Sequence, residues 1–256
     1  MNLGQTIVYS LKPFASTALG NFARDQAKGV GGAIFDLFFR EYRTDQCVFS
    51  VPRSYTTRRM RAKFLLDTYE LPERTLAKQH IRPHATVLEL GSSLGILSCI
   101  VNRRLADPSR HVAVEINPSL IQCIEKNRVQ NDCQFHIEHC AVTKRHALLF
   151  EPASDSDSGK ASVRRGTPAP VRDLFDIERA YGLRFDTIVL DIEGAEIEFI
   201  AEYDSILPRV NTIIVEFHPS IVGEDKTRDA RGRIIGAGLK SVGKMLEVEA
   251  FVRPAT

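Results

Sequence analysis

From Thr86 to Ser98 the chain reads TVLELGSSLGILS. Val87, Leu88 and Leu90 make the short apolar run of a strand buried on both faces, and the run carries an acid, Glu89, two residues before a glycine. Gly91 and Gly95 free the turn from side-chain clashes, so a ligand can approach the backbone there. Ile96, Leu97, Ile100 and Val101 then recur at helical spacing, and the first amides of that helix point toward whatever lies above the strand. Strand, glycine turn and helix read as a nucleotide pocket. A dinucleotide fingerprint would run G-x-G-x-x-G, and its middle glycine is missing from Gly91-Ser92-Ser93-Leu94-Gly95.

Outward from this stretch the pattern repeats. Val112 to Glu115 is a second apolar strand ending on an acid, about 25 residues after Glu89, the spacing at which a carboxylate accepts the ribose hydroxyls of an adenosine. Phe185 to Leu190 runs into Asp191-Ile192-Glu193-Gly194-Ala195-Glu196, and Thr212 to Val215 into Glu216-Phe217-His218-Pro219. Between them lie helical faces: Leu120, Ile121, Ile124 and Val129; Leu174, Ile177 and Tyr181; Ile197, Phe199 and Ile200. Strands alternating with helices predict an α/β doubly wound sheet. A third strand is expected over Gln134 to Val142, with Ala141 and Val142 flooring an adenine, and Leu246 to Val252 as an antiparallel edge strand.

Other segments frame this core. The run Val30 to Phe39 predicts a helix with Phe35, Phe38 and Phe39 on one face, for packing or self-association in preference to an interfacial membrane contact. Short helices are also expected around Ile7, Val8, Leu11, Phe14 and Leu19. Cys47 to Tyr55 reads as a strand with a turn at Pro52. The basic run Arg58, Arg59, Arg61 and Lys63 that follows is either a solvated helix face or a grip on an anion. Tyr69 to His80 fits a helix with Pro72 in its first turn. Glu151 to Pro170, rich in Ser, Asp, Gly and Pro, is expected to be a loop, either a lid through which Arg164 and Arg165 touch substrate or simple disorder. Residues 1–60 are expected to form a helical extension or cap, and 61–256 the main domain.

Composition narrows the classes. With 34 basic and 32 acidic residues there is no global field to favour nucleic acid. Five cysteines without a C-x-x-C pair do not describe a disulfide framework, which fits a reducing compartment, and the expected location is cytoplasmic. No apolar run is long enough for a membrane span, and no secretory signal is evident. If Cys133, His136, His139 and Cys140 share one strand, alternation sends Cys133 and His139 to one face and His136 and Cys140 to the other, so one zinc ion could not collect all four.

The acid-x-Gly-x-x-x-Gly turn resembles motif I of the class I S-adenosylmethionine methyltransferases. VLELGSSLGILS, VAVEINP, the CAV segment, FDTIVLDIEGAEIEFI and TIIVEFHP, in this order, resemble the FkbM family within that class. The similarity covers about Tyr69 to Pro219, and Glu89 stands where the family often has aspartate. The resemblance implies a Rossmann-like seven-stranded sheet and S-adenosylmethionine as cofactor, leaving as S-adenosylhomocysteine. It implies a cofactor site of Glu89, Gly91, Ser92, Ser93, Gly95, Glu115, Ile116, Ala141, Val142 and Asp191, and transfer to a hydroxyl of a sugar, glycolipid or natural product.

An alcohol is weakly nucleophilic until its proton is taken. His218 is the first candidate base, with Asp191 or Glu193 orienting it or serving instead. A divalent ion on Asp191 and Glu193 is a less favoured option. Two other classes compete. A silent adenosine-binding module, acting through its Phe-rich N-terminal region, would not need acids at every strand end. A dehydrogenase is opposed by the glycine spacing. Methylation of an amine, protein or RNA is a further alternative, and the absence of an Asn-Pro-Pro-aromatic motif argues against nucleobase or glutamine acceptors.

Overall fold

The structure is a computed structural model that describes residues 29–151, 160–162 and 166–255. The helices expected before residue 29, and Arg164 and Arg165, lie outside the described residues. The chain divides into two compact units, with the boundary between Leu71 and Pro72.

The first unit begins with helix α1, 29–38. A hairpin of β1, Glu41–Thr44, and β2, Cys47–Ser50, follows, then α2, Arg58–Leu65. The hairpin turns through Asp45 and Gln46, both at positive φ (47° and 63°). This is the backbone of a tight turn without the glycine that announces one, which hid β1 from the sequence. Phe35 stacks on Phe39 with ring centroids 5.5 Å apart and also meets Phe64, but Phe38 is 71% exposed. The expected single aromatic face is therefore split: Phe35 faces inward, while Val30, Ile34, Leu37 and Phe38 form an exposed apolar stripe. The basic run is not one face either. Arg61 is buried, its Nε 2.7 Å from Asp36, while Arg58 and Arg59 are exposed.

The second unit starts with α3, Leu71–His80, which carries Pro72 in its first turn, where a missing N–H costs nothing. Then come β3, Val87–Leu90; α4, Ile96–Asn102; β4, His111–Glu115; α5, Pro118–Gln130; β5, His136–His139; and β6, Ala141–Val142. After them stand β7, Leu148–Glu151; β8, Lys160–Ser162; β9, Thr167–Ala169; β10, Val171–Arg172; and α6, Leu174–Tyr181. β11, Thr187–Leu190, α7, Glu196–Glu202, and a 3-10 turn, Asp204–Arg209, precede β12, Thr212–Glu216. The chain closes with α8, Pro219–Val222; α9, Glu224–Gly236; β13, Lys240–Met245; and β14, Val248–Val252.

Seven strands form one sheet in the order β13-β14-β12-β11-β3-β4-β5, a doubly wound Rossmann-like α/β architecture. β12, β11, β3, β4 and β5 run parallel, and β14 is antiparallel to both its neighbours. Strand periodicity sorts the core into two layers. Leu88, Leu90, Ile188, Leu190, Ile213 and Val215 face Leu174, Ile177, Phe199 and Ile234. Val87, Val189 and Ile214 face Leu76, Leu97 and Val101 on α3 and α4.

Three expectations are corrected here, and two elements that were not expected are added. Gln134 to Val142 is not one strand: β5 stops at His139, and β6 leaves the sheet to pair with β10. The tail strand is one place inside the edge, which β13 occupies. β13 escapes sequence reading because most of its side chains are exposed. The segment 151–170 is not an irregular loop at its ends, since β7 pairs with both β8 and β9 in a small antiparallel sheet. The charged stretch from Glu224 is a helix that buries Thr227, Ala230 and Ile234. No described helix is long and apolar enough to cross a membrane.

Candidate active site

Strand order reverses between β3 and β11, which lie in register with Leu90 beside Leu190. The crevice beyond such a pair is where open α/β sheets take their ligands. Gly91 follows with φ 89°, and a Cβ on it would sit 1.7 Å from the Asp191 carbonyl oxygen. Glycine is demanded there by the neighbouring strand end, before any ligand arrives. At Gly95, φ 74°, a Cβ would come 3.2 Å from Ile124 on α5, so this glycine also serves close packing.

Between them, Ser92 donates its amide to the Val114 carbonyl at 3.1 Å and its hydroxyl to the same oxygen at 3.3 Å. Ser93 is left-handed, φ 48°, and donates its amide to Glu115 Oε2 at 2.8 Å. Glu115 Oε1 accepts from the Asn117 amide at 2.8 Å. One carboxylate thus ties the first turn to the end of β4. Burial pushes the Glu115 carboxyl up from 4.5 to about 7, against the lowering effect of those amides. Ile116 is half-buried, and its carbonyl lies 3.2 Å from His139 Nε2. Ala141 and Val142 are half-buried in the pair with β10.

Glu89 behaves differently. It shares a sheet face with Val87, the face α4 covers, and is 1% exposed. Ser98 donates to its Oε1 at 2.8 Å, and His111 Nε2 lies 3.0 Å from its Oε2. The structure brings Glu115 and the Gly91–Gly95 turn together, and directs Glu89 into the packing beneath them.

The ends of β11 and β12 gather the other predicted groups. His218 Nε2 lies 3.6 Å from Glu193 Oε2 and 4.0 Å from both Asp191 Oδ1 and Glu216 Oε2. Its Nδ1 is 3.2 Å from Glu196 Oε1, ion-pair range, though bent away from straight hydrogen-bond geometry. Glu193 sits left-handed at φ 54°, followed by Gly194 at 103°, which folds the turn back over the strand end. Burial pulls the His218 pKa down, but Glu196, then Glu193 and Glu216, outweigh it and raise it from 6.5 to about 8. Burial likewise pushes the Glu216 carboxyl up, with His218 and Asp191 opposing.

Glu196 and Glu73 are the members that sequence reading missed as site residues. Glu196 was visible only as the last letter of DIEGAE; Glu73, on α3, carried no signal. Ligand atoms of Asp191, Glu196 and His218 lie within 4.8 Å of one another, as do those of Glu73, Asp191 and Glu216. A single cation would fit between either set by distance alone. Cys133, His136, His139 and Cys140 form no such group among the described residues. His136 packs at a tilt against Tyr181, while Cys133 Sγ lies 3.7 Å from the Cys99 carbonyl.

Three solved structures are similar to part of the chain. A protein of the NADB-Rossmann superfamily from Streptococcus agalactiae is 13% identical, with TM-score 0.46, over 73% of this chain and 69% of that one. The ribosomal protein L11 methylase from Lactobacillus delbrueckii subsp. bulgaricus is 14% identical, TM-score 0.43, over 73% and 77%. The O-methyltransferase TomG from Streptomyces achromogenes, in complex with SAM, is 14% identical, TM-score 0.44, over 71% and 79%. Likeness at this level carries no argument about chemistry. No curated protein matches the sequence. The decisive comparison is with families: residues 89–250, which hold the ends of β3, β4, β11 and β12 but not Glu73 on α3, match the methyltransferase FkbM domain. The chain belongs to the FkbM family of methyltransferases.

Proposed function

We propose that the chain transfers a methyl group from S-adenosylmethionine to a hydroxyl of a sugar, glycolipid or natural product. The observation that carries this reading is the half-buried His218, whose Nε2 stands among Asp191, Glu193 and Glu216 beside the switch point. An alcohol needs a base within reach, whereas a good amine nucleophile does not.

The residues fit the cofactor. Glu115 offers a buried carboxylate at the end of β4, where ribose hydroxyls need an acceptor. Gly91, Ser92, Ser93 and Gly95 would hold the amino-acid end, with Ile116, Ala141 and Val142 around the base. When bound, the cofactor supplies a methyl group on a positively charged sulfur. His218 takes the acceptor proton at Nε2, and Asp191 and Glu193 orient the acceptor and the imidazole. Most of the rate then comes from alignment of the reacting atoms. A divalent ion is the less favoured reading, because the His218 ring already stands among these carboxylates. The acidic rim also disfavours a nucleic-acid acceptor. Self-association through Val30, Ile34, Leu37 and Phe38 belongs to the same reading, and sedimentation velocity of an Ile34→Glu variant tests it.

Calorimetry with S-adenosylhomocysteine and NAD tests the cofactor: binding of the first alone is expected, and a preference for NAD overturns the reading. Radiolabelled methyl transfer to a panel of glycans, glycolipids and polyketide alcohols tests the acceptor, with label on oxygen expected and label on nitrogen contradicting it.

A further inference from the structure

We infer that Glu196 is the positioning residue for His218, holding Nδ1 so that Nε2 is the nitrogen presented to the acceptor. The acceptor's identity rests on the reading above; the pairing itself does not. Glu196 is 0% exposed, whereas Asp191 and Glu193 are about a third exposed by side chain and stand on the Nε2 side. Its carboxylate cannot swing. Oε1 accepts from the amides of Ile192 at 2.9 Å and Gly194 at 3.1 Å, and Oε2 accepts from Gly194 at 3.0 Å.

Those amides belong to the turn that carries Asp191 and Glu193, so one buried side chain fixes both the turn and the histidine. Among the described residues, His218 is faced by Asp191 and Glu193 from that turn, Glu196 from α7, and Glu216 from β12; Glu73 from α3 stands beside Asp191 and Glu216. Of these, Glu196 is closest to the ring and the only one on its Nδ1 side. A neutral imidazole donates from one nitrogen and accepts at the other, so a carboxylate at Nδ1 selects the tautomer whose Nε2 takes a proton. Without it the ring is free to flip and to carry its hydrogen on the wrong side.

The test uses the full chain and needs no acceptor. Nitrogen-15 shifts of His218, assigned by comparison with His218→Asn, should show the Nδ1–H tautomer once the ring is neutral. A predominant Nε2–H tautomer overturns the inference, and this arm holds even if Glu196→Gln does not fold. In Glu196→Gln the His218 titration midpoint should fall by about one pH unit or more while the other histidines stay put; an unmoved midpoint is equally fatal. Once an acceptor is known, the same variant should lose about tenfold or more in kcat with unchanged affinity for S-adenosylhomocysteine. Loss of that affinity, or a kcat like that of the native chain, counts against the role. If the native chain fails to bind S-adenosylhomocysteine while the tautomer is as stated, the cofactor reading falls and the pairing stands.

Discussion

The two sides of the switch point treat their acids in opposite ways. On the β3–β4 side each carboxylate oxygen has a donor: Glu89 has Ser98 and His111, and Glu115 has the amides of Ser93 and Asn117. On the β11–β12 side, Asp191, Glu193 and Glu216 crowd one imidazole at 3.6 to 4.0 Å. Acids with a donor on each oxygen make a rigid frame and keep lone pairs for a ligand. Crowded acids store repulsion that a proton, or a substrate that shares one, relieves. A frame suits a cofactor that must be gripped the same way each cycle; a proton-sharing cluster suits the step in which a proton moves.

The comparison breaks most readily at His218. His218→Ala should cost about a hundredfold or more in turnover while leaving calorimetric affinity for S-adenosylhomocysteine unchanged. In the native chain the rate should climb with pH and level off above about 8, because the base works only once its raised pKa is passed. A flat profile from pH 6 to 9 would move proton removal elsewhere.

Gly91→Ala comes next, on the frame side. Left-handed backbone and the Asp191 carbonyl at 1.7 Å from the new Cβ should together cost about 2 kcal/mol or more, read as a lowered denaturation midpoint. A variant as stable as the parent would mean the two strand ends are not pressed together as described.

The Glu115 prediction is smaller and has a definite sign. Its folded pKa, about 7, lies above 4.5, so it favours the apo fold most below pH 4.5 and loses that contribution as pH rises through 7. Cofactor affinity runs the other way, since only the ionised carboxylate accepts from two hydroxyls. Binding should be up to about tenfold weaker at pH 6 than at pH 8, and Glu115→Gln should flatten the dependence. Glu89→Gln should do least to the ligand: affinity within about twofold, with a stability loss of about 1 kcal/mol from the altered Ser98 and His111 contacts. A collapse of binding without loss of stability would place Glu89 in the frame's ligand face after all.

The strands that position the site were legible because they are buried on both faces: β4, β11 and β12 read as apolar runs closed by acids, and β3 as an apolar run interrupted only by Glu89. What stayed hidden had its signal diluted. α9 buries one residue per turn among charges, and Thr227, Ala230 and Ile234 do not stand out as a stripe. β13 exposes most of its side chains, and the β1–β2 turn lacks glycine. Within the site, strand ends could be counted from sequence, but which way each side chain leaves its strand could not. That is why Glu89 looked like a ligand-facing acid, and why Glu196, one residue into a helix, did not look like a partner of His218.

Ala141 pairs with Val171, and Val142 with Arg172, in parallel. The described stretch therefore leaves and rejoins the sheet domain at neighbouring points, with Thr143, Lys144 and Arg145 held in addition by Glu198 and Glu202 on α7. Such an excursion can lengthen, shorten or be exchanged without disturbing the register of any strand that carries a site residue. A change of length between β7 and β9 should leave β3, β4, β11 and β12 in register, which makes this segment a place to graft.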